Sequence, residues 1–551
     1  MQTRSNLIQV WLIGALLLPA AVQAQFVFTT NDDNTITITG YTAGYTGPDI
    51  YVVIPDTTNG YPVTGIGDAA FYGCIKLAGI TIPDSITNIG SGAFNSCLSL
   101  TNVTIPASVI SIGDYAFFYC TNLLAITVDT ANPSYSSLDG VLFNKDRTTL
   151  MQFPFGKAGS YSIPSSVTSL ADEAFGINNF GYPSLSPPSS CTGLTNLTVP
   201  GSITNLGDYA FAHCVGLTSV TLSNGIAAFG NYAFFDCTSL TNIAIPGSVA
   251  SMGYNTFDYC TSLANVTIGD GVPSIEGADF ADCWMLNNVT IPDSVTNIGQ
   301  YAFYACHLTN VTIPGGVTSL GDYAFSGCAF TNITIPNGVI SIGNDSFEYC
   351  ANLTGITLGS NITSIGNLAF SSCTSLTNII IPDNVTTIGH AAFYYCPSLA
   401  TVTVGQNVTS IGDIAFAGCT NLSSVFFRGN APSNVGFGVF TGSGIYFGEN
   451  IEIIYYLPDT TGWEATFAER PTALWLPVIL TNDSSFGVRT NQFGFNMNWA
   501  SGQTVVVEAN TNLANSDWQP LQTNMLTTGS AYFSDPQWTN HPGRFYRLRS
   551  P

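Results

Sequence analysis

The apolar residues of this chain recur at fixed places in a repeat of 22 or 23 residues. Most units contain a segment close to L-T-N-V-T-I, with apolar residues at its first, fourth and sixth places, as in Leu100, Val103 and Ile105. The last two alternate with polar residues, which predicts a short strand with one buried face. A short fixed period predicts a solenoid, in which each unit buries its apolar edge only against its neighbours.

One phenylalanine anchors each unit, and a cysteine follows it three residues later in all units but one. The anchoring residues are Phe71, Phe94, Phe117, Phe175, Phe211, Phe234, Phe257, Phe280, Phe303, Phe325, Phe347, Phe370, Phe393 and Phe416. The residue three places before the phenylalanine is mostly Asp, Asn or Ser, as in Asp68, Asp208 and Asn231. Such side chains are typical of helix N-caps. We therefore expect one helical or 3-10 turn per unit beside a parallel sheet of stacked strands.

The first residues have the features of a secretory signal peptide. Arg4 supplies a positive charge, an apolar stretch follows, and Val22-Gln23-Ala24 resembles a cleavage site. The apolar stretch is short for a membrane span. We therefore expect export of the chain to the outside of the cell or to its surface, and no membrane span in the mature protein.

Charged side chains are scarce and mostly acidic. Only 8% of the residues are charged, and the net charge is −23. Between residues 30 and 425 the basic side chains are Lys76, Lys145, Arg147 and Lys157. An acidic surface repels phosphate groups, so nucleic acids are excluded as partners and acidic lipid surfaces are disfavoured.

All fourteen cysteines occupy the same place in the repeat. An even number in an exported chain is compatible with disulfides, and neighbouring coils lie within disulfide range. Equivalent side chains of a parallel stack, however, point in the same direction, and free cysteine is a common small core residue. We expect a ladder of buried thiols, with disulfides as the alternative. Because C-x₂-C spacing is absent, no zinc site is expected.

The outward positions of the predicted strands carry Asn and Thr without charge. These side chains could hydrogen-bond a glycan or a peptide main chain, or they could simply be what a parallel sheet accommodates on its solvent side. The candidate ligand-facing residues are Asn102, Thr104, Asn196, Thr198, Asn265, Thr267, Asn288, Thr290, Asn310, Thr312, Asn332 and Thr334.

Two interruptions enlarge the repeat. Residues 129–163 contain two apolar strands joined by a polar turn, which predicts a hairpin-like variant unit. Residues 176–190 form an insert before Cys191 that we expect to protrude as a surface loop. Its Phe180 and Tyr182 are candidate contacts with a partner, and an inert loop is the alternative.

No constellation of catalytic residues emerges. The four histidines lie at unrelated places and partner no recurring nucleophile. The densest acidic group is Asp270, Glu276, Asp279 and Asp282. Two carboxylates could serve glycoside hydrolysis, but a solvated acidic face explains them more simply. We expect no catalytic residue, cofactor or metal.

The motif I-G-D-Y-A-F-x-x-C followed by L-T-N-V-T-I-P resembles the BspA-type leucine-rich repeat of bacterial and some protist surface proteins. The resemblance implies a curved solenoid with the parallel sheet on its inner face, and adhesion or ligand binding outside the cell. It covers most of the chain, whose last part consists of short alternating strands that predict a small all-β, sandwich-like domain. The expected divisions are a signal peptide (1–24), an N-terminal cap (25–47), leucine-rich repeats (48–425), a C-terminal cap (426–475) and the all-β domain (476–551).

The leading functional expectation is an exported, non-catalytic recognition or adhesion protein that binds an extracellular protein or glycan. The alternatives are a structural component of the cell envelope and a carbohydrate-active enzyme that uses the acidic group. The oligomeric state stays open.

Overall fold

The computed structural model describes residues 26–42, 50–176, 190–440, 453–489, 492–513, 517–541 and 543–550. The chain divides into two compact units, each described by itself below. The first comprises residues up to Val317 together with Tyr323–Cys328, and the second comprises Thr318–Asp322 together with residues from Ala329 onward.

The strands of the first unit are β1 (Phe26–Thr30), β2 (Ile36–Tyr41), β3 (Ile50–Val53), β4 (Thr57–Thr58), β5 (Tyr61–Ile66), β6 (Leu77–Thr81), β7 (Asn88–Ile89), β8 (Asn102–Ile105), β9 (Ser111–Ile112), β10 (Ala125–Val128), β11 (Tyr135–Leu138), β12 (Val141–Asn144), β13 (Thr149–Gln152), β14 (Gly159–Ser162), β15 (Ser169–Leu170), β16 (Leu194–Val199), β17 (Asn205–Leu206), β18 (Ser219–Leu222), β19 (Ala228–Phe229), β20 (Asn242–Ile245), β21 (Asn265–Ile268), β22 (Ser274–Ile275), β23 (Asn288–Thr290) and β24 (Asn297–Ile298).

The strands of the second unit are β25 (Ser319–Leu320), β26 (Asn332–Thr334), β27 (Ser341–Ile342), β28 (Gly355–Thr357), β29 (Ser364–Ile365), β30 (Asn378–Ile380), β31 (Thr387–Ile388), β32 (Thr401–Val404), β33 (Ser410–Ile411), β34 (Ser424–Phe427), β35 (Asn434–Val435), β36 (Ile453–Tyr456), β37 (Thr466–Phe467), β38 (Arg470–Leu474), β39 (Val478–Leu480), β40 (Gly487–Arg489), β41 (Gln492–Asn498), β42 (Gln503–Asn510), β43 (Gln519–Leu526), β44 (Ser530–Asp535) and β45 (Phe545–Arg549), with a 3-10 helix at Trp538–Asn540.

Most coils carry two parallel strands, which confirms the predicted solenoid. The long strands, formed by the L-T-N-V-T-I segments, build the sheets β3-β6-β8-β10 and β14-β16-β18-β20-β21-β23 in the first unit, and β26-β28 and β30-β32-β34-β36-β38 in the second. The short strands, formed two residues at a time by the V-x-x-I-G segments, build separate sheets such as β5-β7-β9 and β27-β29-β31-β33-β35. Equivalent residues of neighbouring coils face each other, as Asn242 and Asn265 do across β20 and β21.

The interior is a column of stacked rings and aliphatic side chains. The anchoring phenylalanines are buried, and their rings lie nearly parallel, with centroids 5.1 Å apart for Phe234 and Phe257 and 5.4 Å for Phe257 and Phe280. All fourteen cysteines are buried thiols. Each Sγ typically donates to the carbonyl oxygen of the previous coil's phenylalanine, as Cys260 does to Phe234 at 3.2 Å. This arrangement is the predicted ladder of thiols.

The segment around each phenylalanine differs from the expected helical turn. The backbone amides of Tyr209, Phe211 and His213 donate to carbonyl oxygens of the next coil, whereas those of Ala212 and Cys214 donate within their own coil. This alternation requires residues with a left-handed backbone conformation. Tyr209 and His213 accordingly have φ values of 56° and 58°. In a helix all these amides would donate along the helix axis. Here every second amide donates to the next coil instead, so the segment is not helical and its hydrogen bonds connect neighbouring coils.

The Asp and Asn residues before the phenylalanine therefore do not cap helices. The Oδ1 atom of Asp68 accepts from the backbone amide of Ser91, which occupies the same place in the next coil, at 2.7 Å. The N-cap interpretation was wrong because the backbone amide that donates to this side chain belongs to the neighbouring coil.

The variant unit contains the predicted hairpin. β12 and β13 pair in antiparallel fashion, β11 pairs with β12, and β13 returns to the parallel stack beside β15. At the beginning of the chain, β1 and β2 form another antiparallel pair before β2 joins β5 in parallel.

The end of the second unit contains two antiparallel sheets, β39-β41-β40 with β44 on β41, and β43-β42-β45. Their apolar faces meet in a cluster that includes Phe495, Met497, Val505 and Phe533. This all-β arrangement agrees with the predicted sandwich-like domain. No helix in the described part of the chain has the length and apolar character needed to span a membrane.

Candidate ligand-binding surface

The exposed side of the long-strand sheets, called the sheet face below, is lined by the predicted Asn and Thr positions. In β8 the exposure alternates, with Asn102 and Thr104 outward and Val103 and Ile105 buried. Strand register places Asn265 beside Asn288 and Thr267 beside Thr290. Within the sheet of β21 and β23, these sequence-predicted residues thus lie in two parallel lines of uncharged polar groups.

Hydrogen bonds connect these side chains along the sheet face. The amide of Asn265 donates to Oδ1 of Asn242 at 2.8 Å, and Asn288 donates to Asn265 at 3.5 Å. The hydroxyls of Thr104 and Thr127 lie 3.0 Å apart. A primary amide has two donors and two acceptor lone pairs. Among the described residues, the amide of Asn265 therefore keeps one N–H and one lone pair for water or a ligand.

The long strands formed by the L-T-N-V-T-I segments carry no formal charge. None of the strands β6, β8, β10, β16, β18, β20, β21, β23, β26, β28, β30, β32 or β34 contains Asp, Glu, Lys, Arg or His. A protein with a net charge of −23 thus keeps this surface free of its acidic residues. Such a surface can form directional hydrogen bonds to neutral groups without a large cost of charge desolvation.

Asn310 and Thr312 do not lie in a strand, contrary to prediction. Both side chains are exposed, and the intervening Val311 is buried, but residues 308–313 form no ladder. Their unit is one residue shorter than most between Cys306 and the next leucine, but the unit that begins at Cys328 has the same shortening and still forms β26. The missing residue alone therefore does not account for the lost pairing.

The remaining sequence-predicted residues fall into two groups. Phe180 and Tyr182 fall outside the described residues. Asn196, Thr198, Asn332 and Thr334 lie in β16 and β26, and each Asn is exposed.

The members of the acidic group differ in burial and in their hydrogen-bond partners. Asp279 is fully buried and accepts hydrogen bonds from the backbone amides of Glu276 at 2.7 Å and Thr256 at 3.4 Å. Burial raises its pKa to about 7. Asp282 accepts from the indole nitrogen of Trp284 at 3.1 Å, and Asp270 is exposed. Within the described ranges, no group of three or more His, Cys, Asp or Glu side chains could hold a metal ion.

Sequence reasoning missed an aromatic end of the sheet face. The outward residue of β32 is Thr403, which follows Ile380 of β30 in register, and the next two residues in register are Phe426 and Tyr455. Both were assigned to a closing cap, although the replacement of Thr by Phe in S-S-V-F-F was visible as a departure from L-T-N-V-T-I.

Comparison with known proteins identifies the repeat. The family model described as BspA type leucine rich repeat region matches residues 51–179, 189–309 and 296–423. No curated protein matches the chain.

Solved structures of similar proteins come from several bacteria. A leucine rich cell surface protein from Faecalibacterium prausnitzii is 30% identical, over 74% of this chain and 94% of that one, with a TM-score of 0.38. A leucine-rich repeat protein from Bacteroides ovatus is 25% identical, over 82% and 98% of the two chains, with a TM-score of 0.48. The pneumococcal vaccine antigen PcpA is 17% identical, over 79% and 92%, with a TM-score of 0.34. Because the family model matches more than half of its length, the chain belongs to the BspA-type leucine-rich repeat proteins.

Proposed function

We propose that this protein is exported, acts outside the cell or at its surface, and is a non-catalytic recognition or adhesion protein. Its partner is an extracellular protein or glycan, bound through the sheet face. The observation that carries the proposal is the regular, uncharged arrangement of amides and hydroxyls in register across consecutive strands. The description of the F. prausnitzii relative as a cell surface protein supports the assignment of location.

The sheet face suits recognition because it is wide, regular and held by the main chain. Each inner strand is hydrogen-bonded on both sides, so its side chains are positioned by the backbone rather than by flexible loops. Preorganised polar groups lose little conformational entropy when they bind, which favours affinity from many weak hydrogen bonds.

The proposal is tested by a screen followed by a variant pair. The purified protein is applied to arrays of glycans and of extracellular proteins, and the affinity of each binder is measured. Thr267→Glu places a charge and extra bulk on the sheet face, and Thr87→Glu makes the same change at an exposed residue directly before a short strand.

A binder that contacts the central sheet face should lose about tenfold or more in affinity with Thr267→Glu and almost none with Thr87→Glu. If no component of either array binds, or if binding is insensitive to changes anywhere on the sheet face, the recognition proposal fails. The repeats would then act as a structural part of the cell envelope.

A further inference from the structure

The sheet face carries aromatic rings toward the end of the repeats. The rings of Phe426 and Tyr455, which follow Thr403 in register, stack with centroids 5.1 Å apart. The ring centroids of Trp475 and Phe426 are 4.8 Å apart, and the planes of the two rings are inclined by 46°. The hydroxyl of Thr403 therefore lies between the exposed Ile380 of β30 and an aromatic ledge made of these three rings.

The all-β domain forms the wall opposite this ledge. The indole nitrogen of Trp499 donates to the carbonyl oxygen of Trp475 at 2.9 Å, and Arg428 donates to the carbonyl oxygen of Ser501 at 3.0 Å. Leu457 and Trp475 also pack into the apolar cluster of the domain. These contacts hold the wall in place by shared packing as well as by hydrogen bonds.

The ledge and the wall enclose an open cleft of about 650 Å³. This volume falls within the range of about 300–1,000 Å³ that is usual for small-molecule sites. Its polar lining consists of the hydroxyls of Thr401, Thr403 and Ser424, the phenol of Tyr455 and the amide of Asn498. Among the residues that the structure describes, no Asp, Glu, Lys, Arg or His lines the cleft.

We infer that this cleft binds a neutral glycan, an inference that rests on the proposed function and names its ligand class. A sugar ring has apolar C–H faces that can cover aromatic rings, and hydroxyl edges that can exchange hydrogen bonds with Thr, Ser and Asn. The uncharged lining matches a neutral ligand, and the net charge of −23 disfavours an acidic one.

A peptide fits the cleft less well. β32 and β34 are each paired on both sides, so their main-chain groups cannot accept an added strand. Only side chains are offered to the ligand, and they combine aromatic rings and hydroxyls with the aliphatic side chains of Leu474, Leu476, Val478 and Leu480.

The test uses the full-length protein and a panel of neutral oligosaccharides, acidic oligosaccharides and extracellular proteins. Tyr455→Ala removes one ring of the ledge, and Thr403→Glu adds a charge to the lining of the cleft. Their matched controls are Tyr254→Ala, an exposed tyrosine of the turn segments, and Thr87→Glu, at an exposed residue directly before a short strand. Circular dichroism verifies folding, and Thr403→Glu remains informative if Tyr455→Ala fails to fold.

The expected result is that a neutral oligosaccharide binds, that Tyr455→Ala weakens it about fivefold to tenfold, and that Thr403→Glu weakens it at least as much. Both controls should retain the affinity of the unaltered protein. If a ligand binds but only Thr267→Glu weakens it, the cleft inference is overturned while the proposed function stands. Cleft binding restricted to proteins or acidic glycans also overturns the inference. If nothing binds, both fail.

Discussion

The Oδ1 atom of Asp208 accepts a hydrogen bond of 2.7 Å from the backbone amide of Asn231, which lies 23 residues further along the chain. The Oδ1 atom of Asn231 in turn accepts from the amide of Tyr254 at 2.9 Å. Asn344 and Asn367 repeat the relationship in the second unit. These side chains connect consecutive coils at the corner after the short strand, where the amide of the next coil would otherwise face water.

Replacing Asp208 by Ala should weaken the connection between its coil and the next. The loss of one hydrogen bond corresponds to about 0.5–1.5 kcal/mol, and it should appear as faster hydrogen exchange at the amide of Asn231. Asp208→Asn is the matched control because Asn performs the same role at position 231. Equal exchange rates in the Ala variant and the unaltered protein would contradict the role of this bond.

The cysteine ladder predicts a sharp difference in thiol reactivity between folded and unfolded protein. The side chains are buried, and burial raises the pKa of Cys237 well above its ordinary value, with the hydrogen bond to Cys260 and the nearby Cys260 charge contributing in the same direction. Because the thiolate is the reactive species, a colorimetric thiol reagent should react very slowly with the folded protein. After denaturation without reductant it should titrate all fourteen cysteines. A lower final number would show that disulfides had formed.

Asp258 should make the protein less stable as the pH rises. Burial raises its pKa to about 7, the hydrogen bond from Asn255 lowers it, and the charges of Asp282 and Asp236 raise it further. Its Oδ1 atom is buried without a hydrogen-bond partner among the described residues. The folded state therefore retains a proton that the unfolded chain loses near its ordinary pKa of 3.8.

The stabilising effect of this proton is complete below the ordinary pKa and is lost as the pH rises toward the folded pKa. As the pH rises from about 5 to 8, ionisation of Asp258 should lower the free energy of unfolding by about 2 kcal/mol. Unfolding curves of Asp258→Asn should show a smaller loss over the same interval, whereas the exposed Asp293→Asn should follow the unaltered protein. An unchanged pH dependence in Asp258→Asn would refute the explanation.

Glu508 should stabilise the last sheet through its two arginines. Its carboxylate accepts from Arg547 at 2.8 Å and from Arg549 at 2.9 Å, and it is nearly buried beneath them. Burial pushes its pKa upward, but the hydrogen bonds and charges of Arg549 and Arg547 together lower it below its ordinary value. The stabilisation is therefore present above the ordinary pKa and is lost as the pH falls.

Glu508→Gln should destabilise this sheet by about 1–3 kcal/mol because it weakens two charge-assisted hydrogen bonds. Hydrogen exchange of the β42 amides is the appropriate measurement. The exposed Glu464→Gln should change exchange little. No increase in exchange for Glu508→Gln would show that the ion pairs contribute nothing to the stability of the sheet.

The repeat could be predicted from sequence because its core positions obey a strict period. Val103, Ile105 and the anchoring Phe117 are apolar in the same places as their equivalents 23 residues away, and in-register stacking is the arrangement that buries them all. The thiol ladder followed from the same argument.

The details that sequence reasoning missed depend on hydrogen bonds between coils. Asp208 is typical of an N-cap within its own unit, and only the three-dimensional stack shows that the amide it accepts belongs to Asn231. The strand is absent at Asn310 and present at Asn332, although both units are one residue short, so the local pattern does not predict this difference. The cleft around Tyr455 depends on where the all-β domain packs, which no local pattern encodes.

The central claim, that a ligand engages the sheet face rather than the turn segments, is tested most directly by hydroxyl-radical footprinting with and without the ligand found in the array screen. The account predicts slower oxidation of Phe426 and Tyr455 in the complex, with unchanged oxidation of Tyr254 and Tyr349, which are exposed in turn segments. Protection confined to Tyr254 and Tyr349, with Phe426 and Tyr455 oxidised as fast as in the free protein, would contradict it.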